Sequence, residues 1–192
     1  MDITIDNFIK RSLAEDIGSG DITSLACIEK DSFGVVKLIA KEACKIAGIS
    51  IARKIYNHYD SSLVFSPRVK EGKVLKTGDI VFTIQGKIHS ILATERLVLN
   101  CMQRMSGIAT KTNQFFNKIQ DLNTTILDTR KTCPSIRFLD KEAVRIGGGS
   151  NHRNGLYDAI MIKDNHIDFS GSIEKAITNC NHYIKTHSEK TK

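Results

Sequence analysis

Between Leu127 and His166 three short stretches gather groups able to do anion chemistry. They are Leu127-Asp128-Thr129-Arg130-Lys131-Thr132, then Gly147-Gly148-Gly149-Ser150-Asn151-His152-Arg153, then Ile162-Lys163-Asp164-Asn165-His166. A guanidinium is a planar fork matched to carboxylate and phosphate oxygens, and an ammonium is a compact point charge. Glycines let backbone N–H groups approach an anion closely. Cations, a histidine and a glycine run together suit a site that holds a pyrophosphate and a multiply charged acid side by side. Alone, the three glycines point no further than a helix end and a tight turn. Arg130 and Lys131 are more informative, because adjacent cations after the buried-looking run Thr125-Ile126-Leu127-Asp128-Thr129 are unusual as surface decoration.

Other charges lack that setting. Asp16 and Asp21 are competent metal ligands, but no triad of acids at ligand spacing accompanies them. Arg137, Lys141 and Arg145 recur at helical spacing and read as an ordinary solvated face. Cys27, Cys44, Cys101, Cys133 and Cys180 are odd in number, dispersed and without a Cys-x-x-Cys pair. They read as reduced, packed thiols rather than a zinc site or a disulfide framework.

The net charge of +7 admits nucleic acid as a partner. There is no RNA-binding signature, no Trp, and aromatics make up 6% of the chain, so small phosphorylated or carboxylated molecules account for the charge instead. No apolar run reaches the roughly 18 residues of a membrane span. Met1-Asp2-Ile3-Thr4-Ile5-Asp6 lacks the cationic and apolar regions of a signal peptide, so the expected location is the cytoplasm. Residues 185–192 read as a polar, Lys-rich, frayed tail.

The elements that must position these groups follow from periodicity. Phe8, Ile9 and Leu13 predict a short helix over 6–13, ending near Gly18, with Gly18-Ser19-Gly20-Asp21 as a turn. Val35-Val36-Lys37-Leu38-Ile39-Ala40 predicts a strand, and Ile49, Ala52, Ile55 and Tyr56 predict a helix over 47–58. Residues 63–65 and 69–86 read as short strands with Gly at each turn, a compact β-rich layer. Biotinyl and lipoyl carrier domains share that cadence. They expose a modifiable Lys beside Met or Ala, however, whereas Lys73 and Lys87 sit beside Gly, so a structural layer is the better reading.

Leu97, Val98, Cys101, Met102 and Met105 form the apolar stripe of a helix over 94–105, with Arg96, Asn100, Gln103 and Arg104 as its polar stripe. Ser106-Gly107 predicts an interruption before a second helix over 108–119. Residues 125–129 predict a buried strand, 134–146 a helix closed by the glycines, 159–162 a strand and 172–184 a helix. That alternation indicates parallel α/β architecture, in which ligands sit at the C-terminal ends of the strands. Arg130-Lys131 and Lys163 occupy that position. His152-Arg153 reaches the same end only if 149–153 is itself a short strand.

Taken together these motifs resemble the quinolinate phosphoribosyltransferase family of type II phosphoribosyltransferases. Glu15-Asp16-Ile17-Gly18-Ser19-Gly20-Asp21-Ile22-Thr23-Ser24, Glu95-Arg96-Leu97-Val98-Leu99-Asn100 and Gln103-Arg104-Met105-Ser106-Gly107 are similar to the family as well. A molybdenum-associated pyrophosphorylase family shares the fold, but Asn151-His152-Arg153 and Lys163-Asp164-Asn165-His166 look more like the quinolinate enzyme. The resemblance implies an N-terminal α+β sandwich (hammerhead-like) domain with connecting helices over 1–111. An incomplete parallel α/β barrel would follow over 112–192. A whole barrel needs about 200 residues or more, so the expected remainder is absent through truncation or supplied by a second polypeptide.

The implied activity joins quinolinate to 5-phosphoribosyl-1-pyrophosphate and releases pyrophosphate and carbon dioxide. It gives nicotinate mononucleotide, a step of NAD biosynthesis. The resemblance assigns the quinolinate carboxylates to Arg130, His152 and Arg153, with Arg96 supplied by the partner in a homodimer. It assigns Lys131 and Lys163, the catalytic cations, to the phosphoribosyl-pyrophosphate side, with Thr129 as their hydrogen-bonding neighbour. Mg²⁺ would enter with phosphoribosyl pyrophosphate, no ligand to it coming from this chain. Neither nucleic acid nor membrane is implied as a partner. The alternative reading is a non-catalytic dimerising remnant or anion-binding module of the same family.

Overall fold

The computed structural model describes residues 5–187. The signal-peptide reading on residues 1–4 and the tail reading on 188–192 lie outside the described residues. Two compact units form: Met1–Asp128 with Thr132–Ser150, and Thr129–Lys131 with Asn151–Lys192.

The first unit opens with α1 (Ile5–Ile17), which buries Ile9 and Leu13 one turn apart. Helix α2 (Ile22–Cys27) was not expected from sequence. Asp21 caps it, accepting from the Ser24 backbone N–H at 3.1 Å and from the Ser24 hydroxyl. Those bonds hold the Asp21 carboxyl below its ordinary range. The carboxylate that invited a metal reading is therefore a helix cap.

Strands β1 (Phe33–Ile39), β3 (Val64–Pro67) and β5 (Ile80–Lys87) make an antiparallel sheet in the order β1-β5-β3. Central β5 buries Val81, Phe82 and Ile84. Strands β2 (Cys44–Lys45) and β4 (Val74–Leu75) pair separately. Helix α3 (Ile49–Tyr59) packs Tyr56 against Phe65 and Phe82, with ring centroids 6.0 and 6.1 Å away.

Helix α4 (Ile88–Ile119) runs unbroken for 32 residues, so the expected interruption at Ser106-Gly107 does not occur. The Ser106 hydroxyl donates to the Ala47 carbonyl at 3.2 Å and accepts from its N–H at 3.0 Å, and Thr110 Oγ1 accepts from Lys45 N at 2.8 Å. These hydroxyls, one turn apart, satisfy the backbone at and beyond β2, and that tertiary demand overrides the local propensity cost of Gly107, about 1 kcal/mol. Ile91, Val98, Met102 and Met105 carry the core along this helix.

Helix α5 (Arg137–Gly147) follows. The predicted strands flanking it survive as one parallel bridge, Leu127 to Ser150. Its hydrogen bonds run from Asp128 N to Ser150 O (3.1 Å) and from Ser150 N to Ile126 O (2.8 Å). The predicted strand over 159–162 has no strand partner among the described residues. Strand structure requires a neighbour to pair with, so an apolar β-branched run does not become a strand by itself. The second unit consists of extended chain plus α6 (Asp164–Ser170) and α7 (Ile173–Thr186). The architecture is α/β, with an N-terminal sheet-and-helix region and parallel pairing that does not close into a barrel.

Candidate functional site

Thr129, Arg130 and Lys131 form a turn closed by the Thr129 hydroxyl, which accepts from Lys131 N at 3.1 Å. The residues on either side are held by α5. Lys141 Nζ donates to Asp128 Oδ1 at 2.7 Å, with the two side chains only 4% and 5% exposed. Arg137 Nε donates to the Thr132 hydroxyl at 2.9 Å. Cys133 N donates to Asp140 Oδ2 at 3.1 Å. The same Asp140 carboxylate takes a bidentate grip from Arg104 on α4, at 2.6 and 2.7 Å, which holds that guanidinium more firmly protonated.

The expected solvated face of Arg137, Lys141 and Arg145 therefore holds for Arg145 alone, which is exposed and pairs with Glu142. Lys141 is buried against Asp128 of the segment ahead of the helix, a partner that a single apolar stripe does not reveal. Asp140 did leave a trace in the sequence, as a carboxylate on the apolar face beside Leu139 and Ala143. Arg104 belongs to this internal network rather than to the open polar stripe of α4.

The glycine run serves packing. Gly148 takes a left-handed conformation (φ 103°) that ends α5, and its N–H donates to Arg145 O at 3.1 Å, while Gly149 N donates to Val144 O at 3.0 Å. Those N–H groups are committed to the helix end rather than turned to an anion. Beyond the run, Ser150 enters the parallel bridge, so 149–153 begins as a strand segment and His152-Arg153 leaves in the same direction as Arg130-Lys131.

In the second unit Arg153 Nη1 donates to the Ala159 carbonyl at 3.1 Å, folding the guanidinium over the next segment. Asp158 closes the loop between them, accepting from Asn154 N at 2.7 Å and Gly155 N at 3.0 Å. Lys163 precedes α6, and its backbone N–H donates to His166 Nδ1 at 3.0 Å, leaving the proton of a neutral ring on Nε2.

Six of the seven residues singled out from sequence thus fall in one compact unit: Thr129, Arg130, Lys131, His152, Arg153 and Lys163. Arg130, His152 and Arg153 are half-buried, whereas Thr129, Lys131 and Lys163 are exposed. Arg96 belongs to the first unit, exposed on α4. Among the described residues no group of three or more His, Cys, Asp or Glu side chains is arranged to hold a metal ion. No described helix is long and apolar enough to cross a membrane.

Residues 21–106 match the N-terminal domain of quinolinate phosphoribosyl transferase, and residues 108–190 match its C-terminal domain. The chain is 44% identical over 178 residues to the quinolinate phosphoribosyltransferase [decarboxylating] 1b of Nicotiana tabacum, covering 92% of this chain and 50% of that protein. It is similar to the crystal structure of NadC from Streptococcus pyogenes, with a TM-score of 0.88 and 40% identity over 93% of this chain and 65% of that one. The nicotinate-nucleotide pyrophosphorylase from Ehrlichia chaffeensis superposes with a TM-score of 0.88 at 33% identity, over 96% of this chain and 68% of that one. The chain spans about half the length of the curated relatives it matches.

Proposed function

The chain belongs to the quinolinate phosphoribosyltransferase family, and from that premise we propose that it takes part in phosphoribosyl transfer to quinolinate with decarboxylation. The pyridine nitrogen of quinolinate attacks the anomeric carbon of 5-phosphoribosyl-1-pyrophosphate, and the bond to pyrophosphate breaks. The 2-carboxylate then leaves as carbon dioxide, its electron pair passes toward the cationic ring, and a proton takes its place to give nicotinate mononucleotide. Mg²⁺ would enter with the pyrophosphate substrate and supply charge neutralisation to the leaving group, with no ligand to it assigned to this chain.

Arg130, His152 and Arg153 hold the two quinolinate carboxylates and set the ring nitrogen against the ribose. Lys131 and Lys163 neutralise the departing pyrophosphate as the ribose becomes oxocarbenium-like, and Thr129 orients the turn that carries Lys131. Arg96 comes from a second copy of the chain, which makes the site a property of the homodimer. The observation that carries the reading is the collection of six of these residues in one compact unit, fed by segments that leave one parallel bridge in the same direction. Five unpaired cysteines suit a reducing compartment, the cytoplasm in this reading.

The test is formation of nicotinate mononucleotide by the native chain, by Arg96→Ala, by Arg153→Ala and by a co-refolded mixture of the two variants. Arg153→Ala should raise the quinolinate requirement roughly 100-fold, as expected when one partner of a desolvated charge pair is removed. Random re-pairing gives half mixed dimers with one intact site each, so the mixture should recover about a quarter of native turnover. Unchanged kinetics in Arg153→Ala would remove the assignment, and a mixture as inert as its components would remove the shared site. A native chain that binds quinolinate without turnover would be an anion-binding module instead.

A further inference from the structure

We propose that the charged face of α5 is a clamp that presents the Thr129–Lys131 turn, with Arg137, Asp140 and Lys141 as positioning residues for the cations; this deepens the functional reading above and rests on it. The turn is bounded by anchors on both sides. Ahead of it, Asp128 is held through Lys141. Behind it, Thr132 is held through Arg137 and Cys133 through Asp140. Arg137, Asp140 and Lys141 stand at i, i+3 and i+4, so one helix face reaches all three anchors. The three residues between the anchors are those assigned to the substrates.

Stability alone does not account for this design. Desolvation offsets most of the attraction within a buried ion pair, and an apolar contact would secure α5 equally well. What the pair supplies is direction. Lys141 grips the side chain of Asp128 while the backbone N–H of Asp128 donates to Ser150. One residue thereby fixes where the Arg130 segment starts and how it registers with the segment leading to His152 and Arg153. Adjacent cations repel and carry much rotamer freedom, so a backbone ordered in advance lowers what the arriving anion must offset. Arg145 and Glu142 on the same helix make the contrasting case: they pair at the exposed surface and touch neither end of the turn.

The experiment compares the native chain with Lys141→Met/Asp128→Asn, with Arg137→Met and with Arg145→Ala. Hydrogen–deuterium exchange is read at Asp128 and Ser150, and limited trypsin cleavage is read after Arg130 and Lys131. Urea unfolding and calorimetric titration with inorganic pyrophosphate and with quinolinate complete the set. Removing both members of the pair takes its two opposite buried charges away together, so the urea midpoint should stay near native. Exchange and cleavage at the turn should nevertheless accelerate about tenfold or more, since a local opening is being favoured. Pyrophosphate should bind about tenfold more weakly, and Arg145→Ala should change none of these readouts.

Native-like exchange and cleavage in the double variant would overturn the clamp. If the double variant fails to fold, Arg137→Met decides: faster cleavage after Lys131 at a native urea midpoint supports the clamp, and unchanged cleavage overturns it. A native chain that binds neither anion removes the functional reading. The clamp is then judged by exchange and cleavage alone.

Discussion

Replacing Gly147 by Ala should destabilise the protein, although Ala is the better helix former. A methyl group at Gly147 would lie 2.5 Å from Thr112 Cβ, 2.8 Å from Thr112 Cγ2 and 2.8 Å from the Ala109 carbonyl oxygen. Carbon atoms rest about 3.5–4.0 Å apart, so α5 would have to retreat from α4 by about 1 Å. Two of those three atoms belong to the α4 backbone or to a β-carbon and cannot rotate away, which puts the overpacking cost at the upper end of its usual range, about 3 kcal/mol. Helix propensity returns about 1 kcal/mol. The net loss is about 2 kcal/mol, a fall in melting temperature of about 4–8 °C for a chain of this size. Thermal unfolding measures it, and hydrogen exchange along α4 and α5 should rise with it. Adding Thr112→Ala should not rescue the variant, because the β-carbon and the Ala109 carbonyl remain. If the glycine run were instead an anion cradle, Gly147→Ala would keep its melting temperature and lose pyrophosphate affinity. That result would refute the packing argument.

Three further outcomes follow from burial and capping. Burial pushes the Cys101 thiol up to about 11, so at pH 8 only about 0.1% of it is thiolate; a disulfide reagent should label exposed Cys27 and Cys133 and spare Cys101 until urea is added. A folded-state value raised above the ordinary 9.0 contributes stability that is complete below pH 9 and lost as pH rises toward about 11, so the urea midpoint should fall across that window and fall less in Cys101→Ala. The Glu71 carboxylate accepts from Gly48 N (2.6 Å), Ile49 N (3.3 Å) and Ser50 N (3.1 Å) at the start of α3, so Glu71→Ala should cost about 1–2 kcal/mol in urea unfolding, and an unchanged midpoint would remove its capping role.

The sequence was most legible where a residue's role depends on its own periodic neighbours. The apolar stripes of α1 and α3 and the β-branched run of β1 are local patterns that the structure bears out, and the stripe over 94–105 lies within α4, which starts earlier and runs on unbroken. Paired strands of two residues, such as β2 and β4, are too short to show a period. Ser106-Gly107 reads as a break only until its hydroxyl is seen to serve the Ala47 backbone, a partner 59 residues away. Lys141 shows the same limit more sharply. A lysine one helical turn after Arg137 is a solvated residue by every local criterion, and its burial follows from Asp128, which chain pattern cannot place beside it. Around the candidate site residues, the bonds from α5 to Asp128, Thr132 and Cys133 left no local pattern in the sequence.

The link from fold to chemistry is the parallel bridge. Strand–helix alternation by itself would send the residue after α5 to the face away from Arg130, because chain leaving a helix enters a sheet at the opposite end from chain leaving a strand. Ser150 resolves this by becoming the next strand position itself, paired in parallel with Leu127. Counting three residues on from each bridge partner arrives at Arg130 and at Arg153. The glycine run makes the register possible at a distance, since Gly147 lets α5 sit against α4 and Gly148 turns the chain from helix end into bridge. Glycines that a motif reading would assign to phosphate therefore act through packing, by letting α5 close on α4 and by ending it ahead of the bridge.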